Sequence, residues 1–430
     1  MELALIGVGR VGGLVVDALV AHDRAHGGGL VAGAIAVDTA VADVAGLRSV
    51  PASHRVVVGA AYPARAGVDG DNELAASIAA EDLDAILAGV DCLPSHRADA
   101  FLVVAALGGG TGGGGAPVVA RALTRLFSRP VYGLGVLPAR DADESTAYDT
   151  ARSLVTFVRE VDSLVVDTGD GCHGSDVSTL ARRVAAVFGG GGPHSRPLSA
   201  WQEHGGVDGD GRDGVSDASG KREPADAASN NSNSEEIAVF RPDVAATVSS
   251  VLAAGRLSVL SEARLPAERR LFARLRGRRP TGRETMAVVR VVRDAAFGVS
   301  PSHVGRWSVR RVATGEDTSL ASRPPVAEAA WLVLDGPPET RPRHGVDYAD
   351  RWLRDEVGVS LVGGDVRDTG GDTLTCTLLL SGVRHVPRLD DLWTAAAAQS
   401  RRAGDLRLPG PDTSVPPTLD AVAETVDPLF

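Results

Sequence analysis

Seven glycines stand within the eight residues 108–115, and this run limits the possible fold more than any other feature of the chain. The apolar run Phe101–Leu107 precedes it and is typical of a buried parallel strand, because only a strand covered on both faces is apolar throughout. A helix is predicted from about Pro117, since the first turn of a helix tolerates proline. A strand, a glycine loop and a helix N-terminus in this order form an anion site, where amides converge and the helix dipole favours negative charge. Thr111 adds a hydroxyl for a phosphate oxygen or a metal-bound water.

The glycine run differs from a P-loop of the Walker type. That loop needs a lysine followed by serine or threonine, whereas Lys221 is the only lysine in the sequence. A flexible glycine linker is the alternative interpretation of residues 108–115. The strongly patterned strand and helix on either side favour the anion site.

A second glycine loop begins the chain. Residues 7–12 follow a predicted first strand with the pattern G-x-G-x-x-G, and a helix is predicted through Leu14–Val20. Alone, this pattern usually indicates a dinucleotide site. Asp38 supports that alternative, because it ends a predicted second strand where a dinucleotide enzyme holds a ribose. Two glycine loops at the ends of parallel strands instead indicate one nucleotide held from two sides.

Composition excludes several classes of protein. A net charge of -11 argues against a nucleic-acid-binding surface. No apolar run approaches the roughly 20 residues of a membrane span, so no transmembrane segment is predicted, and peripheral membrane association stays open. Cys92, Cys172 and Cys376 are far apart, which predicts neither a disulfide framework nor a zinc site. The chain begins on a strand without the features of a secretory signal, and a cytoplasmic location is expected.

The alternation of strands and helices predicts an α/β fold. We expect a doubly wound parallel-sheet nucleotide-binding domain, joined by a central helix at Asp176–Phe188 to a smaller α+β domain. The tail segment Val426–Phe430 is interpreted as loose, with an apolar docking peptide as the alternative. The expected domains are 1–192 for nucleotide binding, 193–236 for a disordered polar insert, 237–403 for the second domain and 404–430 for a flexible tail.

Other elements follow from local periodicity. The polar loop 67–72 suits a position near a phosphate or its Mg²⁺, and a plain surface turn is the alternative. Further strands are predicted at 30–37, 55–59, 130–137, 163–166, 284–293, 331–334, 360–362 and 374–381, and further helices at 72–89, 148–159, 346–356 and 388–402.

Several stretches match one known family. Gly108-Gly-Gly-Thr-Gly-Gly113 fits the signature G-G-G-T-G-[ST]-G, with Gly113 in the place of serine or threonine, and Gly7–Gly13 fits the family's first nucleotide loop. The chain resembles the tubulin/FtsZ superfamily, and within it the archaeal CetZ group most closely. Further matches lie at 71–74, 131–138, 151–153, 157–162, 336–338, 380–383 and 386–388, so the resemblance covers the chain to near Ala403 apart from the insert.

The resemblance implies a protein that binds GTP or GDP, with Mg²⁺ expected and no metal site made by protein side chains alone. It implies head-to-tail assembly with itself or with a paralogous subunit. A loop of one subunit then completes the nucleotide site of the next, and its acidic residue positions the attacking water. The candidate nucleotide-binding residues are Gly7, Gly9, Arg10, Val11, Gly12, Gly13, Asp38, Asp71, Asn72, Gly108, Gly109, Gly110, Thr111, Gly112, Gly113, Asp141, Gly169 and Asp170.

The chain departs from the family pattern at the catalytic acid. That position falls on Thr247, and threonine cannot act as a carboxylate base. Asp243 lies one position from another family aspartate and is the candidate substitute.

The positions at which the family contacts the base and the ribose also differ from the family pattern. Gly169 stands before Asp170 where the family has Asn-Asp, and the family's ribose-side acid falls on Ala142, between Asp141 and Asp143. A second base-contacting asparagine of the family falls near Val177 or Asp176.

Three functions were weighed. The leading prediction is a tubulin-like cytoskeletal protein that binds GTP, hydrolyses it weakly or not at all, and takes part in cell-shape control. The alternative is an active, head-to-tail polymerising GTPase that uses Asp243, so enzymatic activity is left open. A dinucleotide-dependent oxidoreductase built on residues 7–12 and Asp38 is the remote alternative.

Overall fold

A computed structural model of the protein describes most of the chain. Asp243, Gly169, Asp170 and most of the predicted insert lie outside the described residues. The described residues are 1–62, 67–168, 176–189, 195–198, 244–266, 282–297, 324–337, 343–369, 373–403 and 429–430.

Six parallel strands form the first part of the sheet, in the spatial order β3-β2-β1-β4-β5-β6. This order belongs to doubly wound folds, in which the topology switches between β1 and β4 and leaves a crevice at their carboxyl ends. The strands are β1 (Leu3–Val8), β2 (Val31–Asp38), β3 (Arg55–Val57), β4 (Ala100–Ala106), β5 (Val131–Val136) and β6 (Ser163–Asp167).

Helices cover both faces of these strands. Alternate side chains of β1 enter different cores: Leu3 and Leu5 pack with α1 and α7, whereas Ala4 and Ile6 pack with α3, α5 and α6. The predicted double winding is therefore observed. The helices are α1 (Gly9–Ala25), α2 (Val41–Ala45), α3 (Asn72–Glu81), α4 (Leu83–Asp91), α5 (Gly110–Leu126), α6 (Glu144–Glu160) and α7 (Asp176–Phe188).

The second half extends the same sheet, which has eleven strands over the described residues. β8 (Leu257–Pro266) pairs parallel with β6, and β11 (Thr373–Ser381) runs antiparallel between β8 and β9 (Ala329–Gly336). Strand β10 (Leu361–Asp368) is parallel to β9 and antiparallel to the short edge strand β7 (Ser195–Pro197). The remaining helices are α8 (Val244–Leu252), α9 (Gly282–Ala296), α10 (Arg343–Trp352) and α11 (Pro387–Ala403).

The predicted strand at 284–293 is wrong, because α9 occupies this segment. Its buried residues Val288, Val291, Val292 and Ala295 recur at the three- and four-residue spacing of one helix face. The β-branched valines suggested a strand, but tertiary packing of an amphipathic face outweighs that propensity.

Two other predicted boundaries are corrected. The predicted helix 72–89 is two helices that meet at Asp82, whose carboxylate accepts a hydrogen bond from the Gly59 amide at 2.6 Å. The predicted disorder is wrong at Ser195–Pro197, since β7 pairs with β10 there and the adjoining Leu198 is buried.

Ion pairs, one of them buried, hold the central helix α7 against the sheet. The Arg183 guanidinium donates to the Asp167 carboxylate at the end of β6, and Arg182 bonds Glu262 of β8 at 3.0 Å. Breaking a buried pair by removing one partner costs several kcal/mol. The two pairs together fix the position of α7 relative to both halves of the sheet.

No helix in the described part of the chain is long and apolar enough to cross a membrane.

Candidate functional site

A pocket of about 210 Å³ opens at the carboxyl ends of β1 and β4, in the crevice where the sheet topology switches. It is lined by residues from four segments of the chain: 8–11, 38–43, 67–70 and 106–112. Every segment follows a strand or precedes a helix, so the sheet fixes all four relative to one another.

The glycine run is mainly helix. Helix α5 begins at Gly110, and the predicted start near Pro117 is wrong. Glycine in a helix interior costs about 1 kcal/mol relative to alanine, so another effect must favour these residues. A Cβ placed on Gly110 would lie 2.6 Å from Cγ2 of Val68, and one on Gly114 would overlap the Asn72 carbonyl. The glycines allow α5 to lie directly against the loop 67–70 and the start of α3.

The N-termini of α1 and α5 meet in this pocket without side-chain caps. Val8 and Gly109 are the N-cap residues, neither makes a side-chain cap bond, and no acidic residue occupies either first turn. The helices approach so closely that a Cβ placed on Gly9 would lie 2.8 Å from the Gly112 nitrogen. Gly9 also has a φ of 73°, which favours glycine. Two sets of helix-terminal amides and two positive dipole ends therefore converge on one space.

A hydroxyl pair lies beside these amides. The Oγ1 atoms of Thr39 and Thr111 are 2.8 Å apart, which joins the end of β2 to the first turn of α5. Thr111 is thus held at the mouth of the pocket, where its hydroxyl can reach a bound oxygen.

Asp38 is a buried carboxylate at the edge of the same pocket. It is 4% exposed, and its Oδ1 accepts from the Ala40 amide at 3.1 Å. Its Oδ2 has no hydrogen-bond partner among the described residues. Burial, aided by the nearby charge of Asp43, raises the pKa of Asp38 to about 6. A buried carboxylate oxygen without a partner is costly, and a cation in the pocket would stabilise it.

The oxygen donors suit Mg²⁺ together with a phosphate ligand. Mg²⁺ takes oxygen ligands and is usually held by one or two carboxylates plus substrate phosphates and waters. Asp38, Asp43, Asp69 and Thr111 supply such oxygens around the pocket. Within the described ranges, no group of three or more His, Cys, Asp or Glu side chains could hold a metal ion. The residues fit the ion as a companion of a bound phosphate.

Gly113 lies where the family signature has serine or threonine, and its neighbour explains the difference. A Cβ on Gly113 would lie 2.5 Å from the Ser153 Oγ of α6. Ser153 in turn accepts a hydrogen bond from Asn72 Nδ2 at 2.9 Å. A hydroxyl from α6 therefore occupies the space beside Gly113 and links α6 to α3.

The predicted binding residues fall into three groups. Asp71 caps α3 by accepting from the Leu74 amide at 2.9 Å, and Asp141 is exposed before α6. The predicted binding residues that line the pocket are Gly9, Arg10, Val11, Asp38, Gly109, Gly110, Thr111 and Gly112. Those that do not line it are Gly7, Gly12, Gly13, Asp71, Asn72, Gly108, Gly113 and Asp141. Gly169 and Asp170 lie outside the described residues.

Sequence reasoning missed Asp43 and Asp69 as site residues. Asp43 lies in the first turn of α2 and pairs with Arg10 at 3.7 Å. Asp69 has a φ of 49° in the loop 67–70. The polar composition of that loop was a signal, but the contact with Gly110 that brings it to the pocket is long-range.

Thr247 lies far from this pocket in the sheet order. It belongs to α8, is half-buried, and its Cγ2 is 3.3 Å from a Cβ placed on Gly363 of β10. Five strands, β5, β6, β8, β11 and β9, separate β4 from β10. Asp243 lies outside the described residues.

Comparisons with known proteins agree with this geometry. A model of the Tubulin/FtsZ family GTPase domain matches residues 2–169, and one of the tubulin-like CetZ C-terminal domain matches residues 303–398. The chain is 35% identical to tubulin-like protein CetZ3 of Haloferax volcanii over the full length of both. This chain belongs to the CetZ group of the tubulin/FtsZ family.

Solved CetZ structures resemble this CetZ chain over most of its length. A GDP-bound monomer of CetZ1 from Haloferax volcanii has a TM-score of 0.63 at 32% identity, covering 93% of this chain and 100% of that one. A GTPγS-bound protofilament of CetZ2 from the same organism has a TM-score of 0.64 at 28% identity, covering 94% and 100%. The predicted family and two-part α/β fold are confirmed.

The Ser153 hydroxyl makes a first prediction for this CetZ chain. Gly113→Ser should destabilise the protein by about 1–3 kcal/mol, because the new Cβ overlaps both Ser153 Oγ and the Leu107 carbonyl. Adding Ser153→Ala should recover part of that loss, which urea unfolding of the single and double variants measures. Gly46→Ser, where a Cβ meets only ordinary contacts, is the control. Strict additivity of the two changes would contradict the assigned contact.

Asp38 makes a second prediction. Its folded pKa of about 6 exceeds the ordinary 3.8, so the folded chain binds this proton more tightly than the unfolded chain. The contribution of Asp38 to the stability of the nucleotide-free protein should therefore fall as pH rises from 3.8 to about 6. Asp38→Asn should remove that part of the slope and stabilise the protein at pH 7 by roughly 2–3 kcal/mol. Carboxyl-carbon NMR, with the signal assigned by its loss in Asp38→Asn, measures the pKa; titration near 3.8 would refute the assignment.

Proposed function

We propose that this CetZ-family chain is a cytoskeletal protein that binds GTP or GDP with Mg²⁺ and assembles head to tail. It acts in control of cell shape and hydrolyses GTP weakly or not at all. The observation that carries the proposal is the convergence of two uncapped helix N-termini, α1 and α5, on one pocket.

The pocket's chemistry supports binding of a polyphosphate. Amides in the first turns of α1 and α5 point to a common space, and helix N-termini are ready-made phosphate sites. Thr111 contributes a hydroxyl, and Arg10 lines the mouth with its side chain 73% exposed. The volume of the pocket, about 210 Å³, is below the 300–1,000 Å³ typical of sites for whole small molecules. The pocket therefore suits the phosphates, with the base lying beyond it.

Mg²⁺ is proposed on the charge balance of the same pocket. When bound, Mg²⁺ neutralises phosphate charge. Asp38, whose buried Oδ2 has no hydrogen-bond partner among the described residues, would help to hold the ion, and Asp43 and Asp69 supply further negative charge around the mouth. Without a cation, these three carboxylates would oppose an anionic ligand.

The guanine base is proposed from the relatives. Similar CetZ structures are described as bound to GDP and to GTPγS. The candidate base-side residues Gly169 and Asp170 lie outside the described part of this chain, so the choice of base rests on the family.

Head-to-tail assembly is proposed from the position of α8. The related CetZ2 structure is described as a protofilament. In this chain the nucleotide pocket and Thr247 are on different halves of the sheet. Successive subunits in one direction would bring the α8 end of one chain to the pocket of the next, and the neighbour can be the same chain or a paralogue.

Weak hydrolysis is proposed from Thr247. Its side chain is half-buried and packs against Gly363, and it holds no carboxylate to orient water. An active GTPase that uses Asp243 is the second candidate, favoured by the proximity of that acid to α8 in the sequence. Membership of the CetZ group argues against the dinucleotide-dependent oxidoreductase.

Gly110→Ala tests the nucleotide site. Its Cβ would press against Val68 and Gly70, so the loop 67–70 must move away from α5. Affinity for fluorescent GDP should fall at least about tenfold, which corresponds to 1.4 kcal/mol of binding free energy. Gly46→Ala, with no close contact, should leave the affinity unchanged. Competition with GTP, ATP and NAD identifies the ligand, and displacement by NAD alone would favour the oxidoreductase.

The variant Asp243→Ala distinguishes a protein that hydrolyses GTP weakly without Asp243 from an active GTPase that uses it. If Asp243 takes no part, residual phosphate release by the variant should equal that of the parent, with GDP affinity preserved. A large loss of turnover at unchanged affinity would instead establish the active GTPase.

A further inference from the structure

The last two residues of the sequence, Leu429 and Phe430, lie in a groove away from the candidate nucleotide site. The groove runs between α3, α4 and α5 and encloses about 720 Å³. Leu429 and Phe430 form one of its walls. The opposing apolar surface comes from Ala76, Ala80, Leu83, Leu87, Val118 and Ala122.

The main chain of this segment is bound to a buried hydroxyl. The Leu429 amide donates to Thr156 Oγ1 of α6 at 3.1 Å. Thr156 is 2% exposed, and its hydroxyl proton is already donated to the Arg152 carbonyl at 2.8 Å. This oxygen can still accept hydrogen bonds, and the Leu429 amide is one donor to it. Hydrogen bonds to buried groups cost more to lose than exposed ones do.

The Phe430 ring has a cationic partner. The Arg121 guanidinium of α5 lies 5.2 Å from the ring centroid. Arg121 Nε is also 3.5 Å from the Glu160 carboxylate of α6, which orients the guanidinium toward the groove. An exposed cation–π contact of this kind contributes about 0.5–1 kcal/mol. With the ring 44% exposed, the whole contact is modest in strength and can be reversed.

We propose that this groove is a binding site for the chain's own Leu429–Phe430 segment, docked within the same molecule. Two contacts hold it: the Thr156 hydroxyl accepts a hydrogen bond from its main chain, and the Arg121 guanidinium lies over its aromatic ring. Its two side chains line the groove together with the apolar residues of α3, α4 and α5. The apolar lining of the groove continues to Leu126, which is 62% exposed. A free peptide of the same sequence can occupy the site when the chain's own segment is removed.

A peptide-binding experiment tests this proposal without any nucleotide. A fluorescent peptide with the sequence of residues 421–430 is titrated with the intact chain and with a chain lacking Leu429 and Phe430. The shortened chain should bind the peptide, measured by fluorescence anisotropy. The intact chain should bind it at least about tenfold more weakly, because its groove is occupied for most of the time.

Matched variants locate the binding. Ala80 and Ala88 are both exposed alanines on helices, but only Ala80 lines the groove. In the shortened chain, Ala80→Arg should abolish peptide binding by filling the groove, whereas Ala88→Arg should leave it intact. A peptide with Phe430→Ala should also bind at least about tenfold more weakly, which is 1.4 kcal/mol.

Three outcomes would overturn the proposal. The first is equal affinity of the intact and shortened chains for the peptide. The second is no binding to the shortened chain while circular dichroism shows it folded. The third is a peptide affinity of the intact chain that falls further as protein concentration rises. Docking of the segment into a second copy depends on protein concentration, whereas docking within one molecule does not. None of these results depends on GTP or GDP, so they leave the proposed nucleotide site unaffected.

Discussion

The close approach of α5 to its neighbours is the constraint on which the rest of this structure depends. Helix α5 can lie against α3, α6 and the ends of β1 and β4 only because glycines occupy the positions of its first turns that face them. A Cβ at Gly110, Gly113 or Gly114 would overlap the atoms of another segment. The glycines are therefore requirements of packing, and each lowers the helix propensity of α5 by about 1 kcal/mol relative to alanine. In return, the N-terminus of α5 lies directly beside that of α1.

That placement concentrates opposing charges in a small space. Two helix dipoles favour an anion, while Asp38, Asp43 and Asp69 favour a cation. A phosphate bound together with Mg²⁺, as proposed above, would satisfy both. In the protein without a ligand, burial and the nearby charge of Asp43 raise the pKa of Asp38 to about 6.

The sequence predicted this site more fully than it predicted the second half of the fold. The strand-glycine-helix pattern locates Thr111 and Gly9 at the pocket because the relevant contacts are local or follow from parallel strand order. The contacts of Val68 and Gly70 with Gly110 and of Ser153 with Gly113 join distant parts of the chain, and no local pattern predicts them. Helix α9 was mistaken for a strand since its valines carry β propensity, and its helical spacing becomes decisive only when the packed face is known.

We propose that this protein keeps the residues that hold phosphate, whereas Thr247 stands in place of the acid that activates water. Phosphate release from GTP, measured against protein concentration with Mg²⁺ present, tests it most directly. We expect the protein to retain nucleotide and the specific rate of phosphate release to stay low and constant as protein concentration rises. A rate that climbs cooperatively above a threshold concentration would contradict it, because assembly would then complete a working catalytic site despite Thr247.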